Sequence, residues 1–192
     1  MFKPITTITT LTALAIALPG CGGTEQASSS AGGSAAPEKK QEALELGQHA
    51  VSPFVDYGTS RDSESTKVGV RVTAIRKGRV ADLRQFNLSR AQRRSVPYYV
   101  DAKFENLGRF ALSRNLLRVS MEDADGREYR PATLVLLGGT FRKCPETPRG
   151  PLRPRQSFAS CSAILLPKGT EPGRVRFQGD VAEDPLFWEL RS

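Results

Sequence analysis

Apolar and polar residues alternate with a period of two along several short segments of this chain. Residues 67–75 place Val68, Val70 and Val72 on one side, and residues 98–105 repeat the pattern. The side of that second segment predicted to face water carries Asp101, Lys103 and Glu105. Alternation of this kind predicts β-strands that bury one face and expose the other.

Turn signals separate further short strands. Alternation recurs at residues 117–121, and an Asp-Gly turn at Gly126 leads into a return strand over residues 127–130. Residues 132–137 form a short apolar run that two glycines stop, and residues 81–94 form either a helical turn or a long loop. Further strands are predicted at residues 161–166, 174–177 and 187–190. Many short strands with turns between them predict an all-β fold, an antiparallel sandwich rather than a barrel or an α/β fold.

Eight apolar residues on the inward faces of these strands are predicted to form the core between two sheets. They are Phe104, Val119, Met121, Ile164, Leu166, Val175, Phe177 and Trp188. Each large apolar side chain that is fully buried stabilises a fold by roughly 1.5–3 kcal/mol. Eight of them would offset a useful part of the entropy lost on ordering a domain of this size.

Four segments together resemble one known type of domain. They are residues 98–106, Asp125-Gly126-Arg127-Glu128-Tyr129, Leu166-Pro167-Lys168-Gly169 and residues 173–177. Over roughly residues 68–190 the chain resembles the telokin-like, immunoglobulin-like domain of bacterial lipoproteins, a family largely of unknown function. The resemblance implies an immunoglobulin-like antiparallel β-sandwich and supplies no catalytic residues.

The N-terminus has the order of a bacterial lipoprotein signal peptide. Lys3 precedes an apolar stretch at residues 5–18, which is shorter than the roughly 20 residues of a membrane-spanning helix. The stretch ends at Leu18-Pro19-Gly20-Cys21, so we expect Cys21 to be acylated and to become the first mature residue. The protein would then be lipid-anchored to a membrane on the extracytoplasmic side of the cell envelope. Two alternatives stay open: an ordinary secreted protein cut near Gly20, or a short anchor that is never cut.

Charge is distributed unevenly between the predicted parts of the chain. We predict a signal peptide at residues 1–20, a flexible tether at 21–66 and the immunoglobulin-like domain at 67–192. Residues 22–66 carry a net charge of −4, whereas residues 67–192 carry +11. A basic domain favours an anionic partner, such as anionic lipid or wall polymer, or an envelope protein. The alternative is a solvated arginine-rich surface. Nucleic acid is not an expected partner, because the chain is exported and contains no recognition module.

The chain contains three cysteines, and the anchor would use one of them. The remaining pair, Cys144 and Cys161, is predicted to form a disulfide, because export exposes it to an oxidising compartment. A closed loop of roughly 18 residues stabilises a fold by about 3 kcal/mol in the chain-entropy model. No metal site is expected, because two thiols are too few for zinc and the single histidine, His49, lies in the predicted tether.

The loop closed by these cysteines is the candidate binding site. Its basic residues, between or beside the cysteines, are Arg142, Lys143, Arg149, Arg153 and Arg155. Four prolines stiffen the loop, so it could present guanidinium groups to an acidic partner at little entropic cost. The alternative is an exposed structural loop without a ligand.

No catalytic residues and no cofactor are predicted. Nucleophilic catalysis usually needs a histidine base close to the nucleophile, and the clustered Glu122, Asp123 and Asp125 are interpreted as a solvated turn. We therefore expect a non-enzymatic binding module anchored to a membrane. The alternative function is a structural or accessory subunit of an exported protein complex.

Overall fold

The computed structural model describes residues 43–56, 64–135 and 137–190. Ten strands follow one another in this part of the chain: β1 (His49–Asp56), β2 (Glu64–Lys77), β3 (Ser95–Asn106), β4 (Leu112–Ser113), β5 (Ser120–Asp123), β6 (Glu128–Tyr129), β7 (Pro151–Leu152), β8 (Ser157–Pro167), β9 (Pro172–Phe177) and β10 (Leu186–Glu189). The predicted signal peptide, Cys21 and residues 22–42 lie outside the described residues. Within the described ranges, no helix has the length and apolar character needed to cross a membrane.

Four strands form the first antiparallel sheet, in the order β1-β2-β3-β8. Its three long strands have an alternating sequence, so each keeps one face apolar over most of its length. Val70 on β2 lies opposite Phe104 on β3, and Phe104 lies opposite Phe158 on β8. The register between β2 and β3 shifts once, between Val72 and Ala74, which is a β-bulge.

The second sheet packs against the first through one hydrophobic core. Its strands are antiparallel in the order β10-β9-β5-β6, and β4 and β7 form a separate two-stranded sheet. All eight residues predicted to form the core are buried in it. The predicted fold class, an all-β antiparallel sandwich, is therefore confirmed.

A second hydrophobic cluster lies on the outer face of the first sheet. Successive side chains of a strand point to opposite faces, and Tyr99 therefore points away from the core that contains Tyr98 and Val100. The buried members of the outer cluster are Leu83, Phe86, Leu88, Tyr99 and Cys144. Three of them come from residues 78–94, which we call the β2–β3 connection. It is a long loop with two 3₁₀ turns, Val80–Leu83 and Gln92–Arg94.

The folded part begins before residue 67, which corrects the predicted boundary between tether and domain. β1 pairs along its whole length with β2, and Phe54 is buried in the main core. Leu44 forms a parallel bridge with Trp188 on β10. His49 therefore lies on a strand at the edge of the sheet and not in a tether. Alternation is hard to recognise in β1, because two of its three buried positions carry polar residues, Ser52 and Asp56.

Two other predicted strands differ in the structure. The strand predicted at residues 117–121 begins only at Ser120, because a 3₁₀ turn, Arg114–Leu116, precedes it. The described members of residues 132–137 form no strand. Ala132 donates one backbone hydrogen bond to Ala163 on β8, after which the chain turns to the β2–β3 connection.

Candidate functional site

Cys144 and Cys161 form a disulfide, as predicted, with their Cα atoms 5.2 Å apart. Cys161 lies on β8, and Cys144 lies in the loop between β6 and β7. Both sulfur-bearing residues contact the outer hydrophobic cluster. The disulfide therefore attaches the start of the basic loop to the outer face of the first sheet.

Lys143, beside this disulfide, is already paired with an acid. Its Nζ lies 2.8 Å from Oδ1 of Asp82 in the β2–β3 connection. Hydrogen bonding to the Lys143 ammonium is the main cause that holds the pKa of Asp82 below its ordinary value. Lys143 thus joins the loop to the connection, and its charge is largely compensated.

Arg76 supports the same junction from β2. Its Nη2 donates to the carbonyl of Lys143 at 2.8 Å, and its Nε donates to the Asp101 carboxylate at 2.8 Å. The hydrogen bond with Asp101 is the main cause that raises the pKa of Arg76. Asp101 is therefore half-buried in an ion pair, whereas the sequence predicted that it faces water.

The five predicted basic residues do not form one cluster. The backbone N–H of Arg155 donates to the carbonyl of Asn106 at 2.8 Å. Asn106 ends β3, whereas Cys161 pairs with Asp101, five residues earlier on that strand. At roughly 3.3 Å per residue, this separation is about 17 Å. Arg142 and Lys143 therefore lie at the disulfide, and Arg153 and Arg155 lie towards the far end of β3.

Arg149 lies between these ends and lines a groove of about 320 Å³ beside the disulfide. Its carbonyl accepts a hydrogen bond from Nη1 of Arg114 at 3.2 Å. The groove is also lined by Arg118, Phe141 and Cys161. Among the described residues, neither Arg118 nor Arg149 has an acidic partner within ion-pair distance. Arg118 and Arg149 thus bring positive charge to the groove, and Glu146, which also lines it, brings a carboxylate.

The β2–β3 connection carries a run of exposed positive charge that lies outside the predicted binding loop. It contains one acid, Asp82, and five exposed arginines: Arg79, Arg84, Arg90, Arg93 and Arg94. Asp82 forms an ion pair with Lys143. None of the five arginines forms an ion pair with another residue in the described ranges. The connection therefore carries a positively charged surface, and the Lys143–Asp82 ion pair joins its first 3₁₀ turn to the start of the basic loop.

Two exposed apolar side chains lie beside this surface. Val135 is 62% exposed and Leu137 is 70% exposed. The N–H of Asn87 donates to the Val135 carbonyl at 3.1 Å, and the N–H of Leu137 donates to the Gln85 carbonyl at 2.9 Å. We call Val135 and Leu137 the apolar tip. Exposed apolar side chains that lie together frequently mark interaction sites.

The interpretation of the three clustered acids as a solvated turn was wrong for two of them, because Glu122 and Asp123 are buried. Glu122 contacts Nε of Arg174 at 2.8 Å and Nε of Arg176 at 3.4 Å. It lies on β5 opposite Arg174 on β9, so the strand register creates the pair. Glu122 therefore holds the second sheet together, and of the three acids Asp125 alone has the predicted exposed position.

Asp123 organises the turn from its buried position. Its carboxylate accepts hydrogen bonds from the N–H groups of Asp125 and Arg127 and from the hydroxyl of Tyr129. These bonds, that from Arg127 first, lower the pKa of Asp123. Its acceptor positions are thus used in the fold. The described ranges contain no group of three or more His, Cys, Asp or Glu side chains that could hold a metal ion.

No protein-family model matches this chain, and no curated protein matches it. Among solved structures, it is similar to a "putative lipoprotein (ycdA)" from Bacillus subtilis, with a TM-score of 0.45, 8% identity, and coverage of 64% of this chain and 36% of that one. It is also similar to an uncharacterized beta-sandwich protein from Clostridium difficile, with a TM-score of 0.42, 12% identity, and coverage of 80% of this chain and 99% of that one. The chain thus spans about a third of the length of the first of these structures.

Proposed function

We propose that this protein is a lipid-anchored module of the cell envelope that binds an anionic partner and catalyses no reaction. The anchor is proposed from the sequence Leu18-Pro19-Gly20-Cys21, with acylation at Cys21. The β-sandwich is proposed to be of the telokin-like, immunoglobulin-like type of bacterial lipoproteins. The binding surface is the β2–β3 connection together with Arg142.

The observation that carries this proposal is the state of the arginines in the connection. All five are exposed, and the one acid in the same segment is paired with Lys143. Charges of one sign without partners raise the local concentration of an oppositely charged ligand. Guanidinium groups also match phosphate and carboxylate groups in two-point hydrogen bonding.

A rigid base supports this surface. The Phe141 ring meets the ring of Phe86 at 5.0 Å and that of Tyr99 at 5.6 Å, both edge-on. The disulfide and the Lys143–Asp82 ion pair fix the same region. Binding to a surface that is already ordered costs less entropy than binding to a mobile loop.

A non-enzymatic role is supported by how the clustered acids are used. Glu122 is paired with two arginines, and Asp123 accepts three hydrogen bonds within its own turn. Acids engaged in this way support the fold and are not free for proton transfer.

The test compares two sets of three substitutions in the chain from residue 21 onward with Cys21→Ser, which contains the compact unit Lys39–Ser192. The connection triple is Arg84→Gln, Arg90→Gln and Arg93→Gln. The loop triple is Arg149→Gln, Arg153→Gln and Arg155→Gln. Both remove the same charge, so the position of the charge is the only difference. Retention is measured on a polyphosphate column and on vesicles of phosphatidylcholine and phosphatidylglycerol in equal parts.

We expect the connection triple to lose most retention on both materials at low salt, and the loop triple to lose much less. Added salt should also reduce the retention of the parent protein on both materials, because exposed charges are screened. Unchanged retention of the connection triple on both materials would contradict the proposed function. A partner protein that stays bound to this module in high salt would instead favour an accessory subunit of an exported complex.

A further inference from the structure

The apolar tip lies beside the positively charged surface, to which two backbone hydrogen bonds join it. Gln85 and Asn87, which bind the tip through the backbone, belong to the β2–β3 connection. Arg84 is the chain neighbour of Gln85, and Arg90 follows Asn87 by three residues, at most about 11 Å between Cα atoms. Cations therefore lie close to Val135 and Leu137.

Arg142 adds a cation from another segment. It follows Phe141, whose ring packs on that of Phe86. Phe86 lies in sequence between Gln85 and Asn87, the two residues that bind the tip. Arg142 is exposed and, among the described residues, forms no ion pair. Arginines of the connection and of the basic loop are thus chain neighbours of residues that contact the tip or its support.

We propose that this face docks on an anionic lipid bilayer, with the apolar tip inserted among the acyl chains and the arginines at the headgroup phosphates. This inference rests on the proposed function and names the anionic partner. A bilayer interface combines negative charge with an adjacent apolar phase, and interfacial segments bind it with apolar and basic residues side by side. A wall polymer or a free phosphate attracts the arginines equally well but offers no apolar phase for Val135 and Leu137.

The base beneath the tip suits shallow insertion. Phe86 and Leu88 are buried in the outer cluster, so the connection is packed on the sheet and cannot fold over the tip without losing that burial. Leu134, next to Val135, is half-buried against the same cluster. The tip is thus held outward by the fold, and both of its side chains remain available to a membrane.

The first variant removes the tip without changing charge: Val135→Ser and Leu137→Ser together, in the chain from residue 21 with Cys21→Ser. We expect binding to vesicles of equal parts phosphatidylcholine and phosphatidylglycerol to weaken about tenfold, because burial of apolar area is lost. Retention on polyphosphate should stay unchanged. The control is Leu116→Ser and Val181→Ser, which removes two exposed apolar side chains outside the tip and should leave vesicle binding unchanged.

A second variant, Leu137→Trp, gives a direct signal of insertion. Tryptophan favours the membrane interface, and the single native tryptophan, Trp188, is fully buried. We expect a blue shift of fluorescence with the anionic vesicles, no shift with polyphosphate, and no shift of the parent protein with either. This readout does not depend on the folding of the serine variant.

The outcomes separate the two proposals. Each arginine removed near an anionic bilayer should weaken binding about fivefold, so the connection triple should lose about 100-fold on the vesicles. If that loss occurs while the serine variant binds like the parent and Leu137→Trp shows no shift, the bilayer inference is wrong and a polymer-binding surface remains. If the connection triple binds both materials like the parent, the proposed function itself is wrong.

Discussion

Lys143 and Asp82 meet at 2.8 Å and connect the disulfide-closed loop to the β2–β3 connection. The two segments are far apart in sequence and belong to different turns of the sandwich. The same ion pair compensates charge on Asp82, which is the one acid of the connection. One contact thus orders the basic surface and leaves it positively charged.

The Asp82→Asn variant should be less stable than the parent protein at neutral pH and equally stable in acid. The folded state lowers the pKa of Asp82 below its ordinary value of 3.8. The stabilisation is therefore present above that value and is lost as the pH falls through the lower folded-state pKa. Because Lys143 is half exposed, we expect a loss on the order of 0.5 kcal/mol.

Urea unfolding of both proteins at neutral pH and in strong acid measures this difference. The Asp125→Asn variant is the control, because it removes an exposed acid from a turn. A destabilisation of Asp82→Asn that is the same at both pH values would contradict the explanation by ionisation.

Replacing both disulfide cysteines, Cys144→Ser and Cys161→Ser, should lower the free energy of unfolding by about 3 kcal/mol, because the closed loop restricts the unfolded chain. Urea unfolding of this variant and of the parent protein in reducing agent should give the same midpoint. If either midpoint equals that of the parent protein with its disulfide intact, the bond adds no stability.

Removing the charge of Glu122 should destabilise the second sheet. Glu122 is buried between Arg174 and Arg176, so Glu122→Gln should cost about 2 kcal/mol in the free energy of unfolding. Glu128, which contacts Arg176 at 3.5 Å from a more exposed position, is the control. Glu128→Gln should cost less than about 1 kcal/mol. Equal losses in denaturant unfolding would mean that burial does not determine the strength of these pairs.

Truncation tests the corrected boundary of the domain. A chain that starts at residue 43 keeps β1 and should unfold cooperatively like the parent. A chain that starts at residue 67 lacks β1 and the buried Phe54, and it also exposes one edge of β2. We expect this shorter chain to lose its sharp unfolding transition, as followed by circular dichroism. If the chain that starts at residue 67 unfolds sharply at the same temperature as the parent protein, the originally predicted boundary at residue 67 is right.

The lipid anchor is tested in cells by Cys21→Ala in the full chain. Without an acceptor thiol, the protein should either leave the membrane fraction or persist as an uncleaved precursor. Membrane fractionation and the size of the protein on a gel distinguish these states from the parent. Unchanged processing and unchanged membrane retention would exclude acylation at Cys21.

Residues in strands with regular alternation could be predicted from the sequence. Ile164 and Leu166 on β8 are buried as expected, because they are the apolar positions of an alternating segment. Tyr99 could not be placed in this way. It lies on the face of β3 that also carries Asp101 and Lys103, and it is buried by residues of the β2–β3 connection, which come from outside the strand.

The candidate site was predicted only in part for a related reason. Arg142 and Arg155 are close in sequence, but the loop between them follows the sheet, so their distance depends on strand pairing. Arg84 and Arg142 are distant in sequence, and packing of Phe86 on Phe141 brings their neighbourhoods together. The excess of arginine at residues 78–94 was visible in the sequence, but only the fold shows that its acid is occupied.

The bridge between Leu44 and β10 has a mechanical consequence for a protein held by its N-terminal side. The N–H of Leu44 donates to Phe187 at 2.8 Å, and the N–H of Glu189 donates to Leu44 at 3.0 Å. A force applied from the N-terminal side of the chain would therefore act first on these two hydrogen bonds and only afterwards on the edge strand β1. If the protein is anchored at Cys21, as proposed, drag on the domain would load β10, the last strand, before β1, and the bridge would keep β1 paired with the sheet.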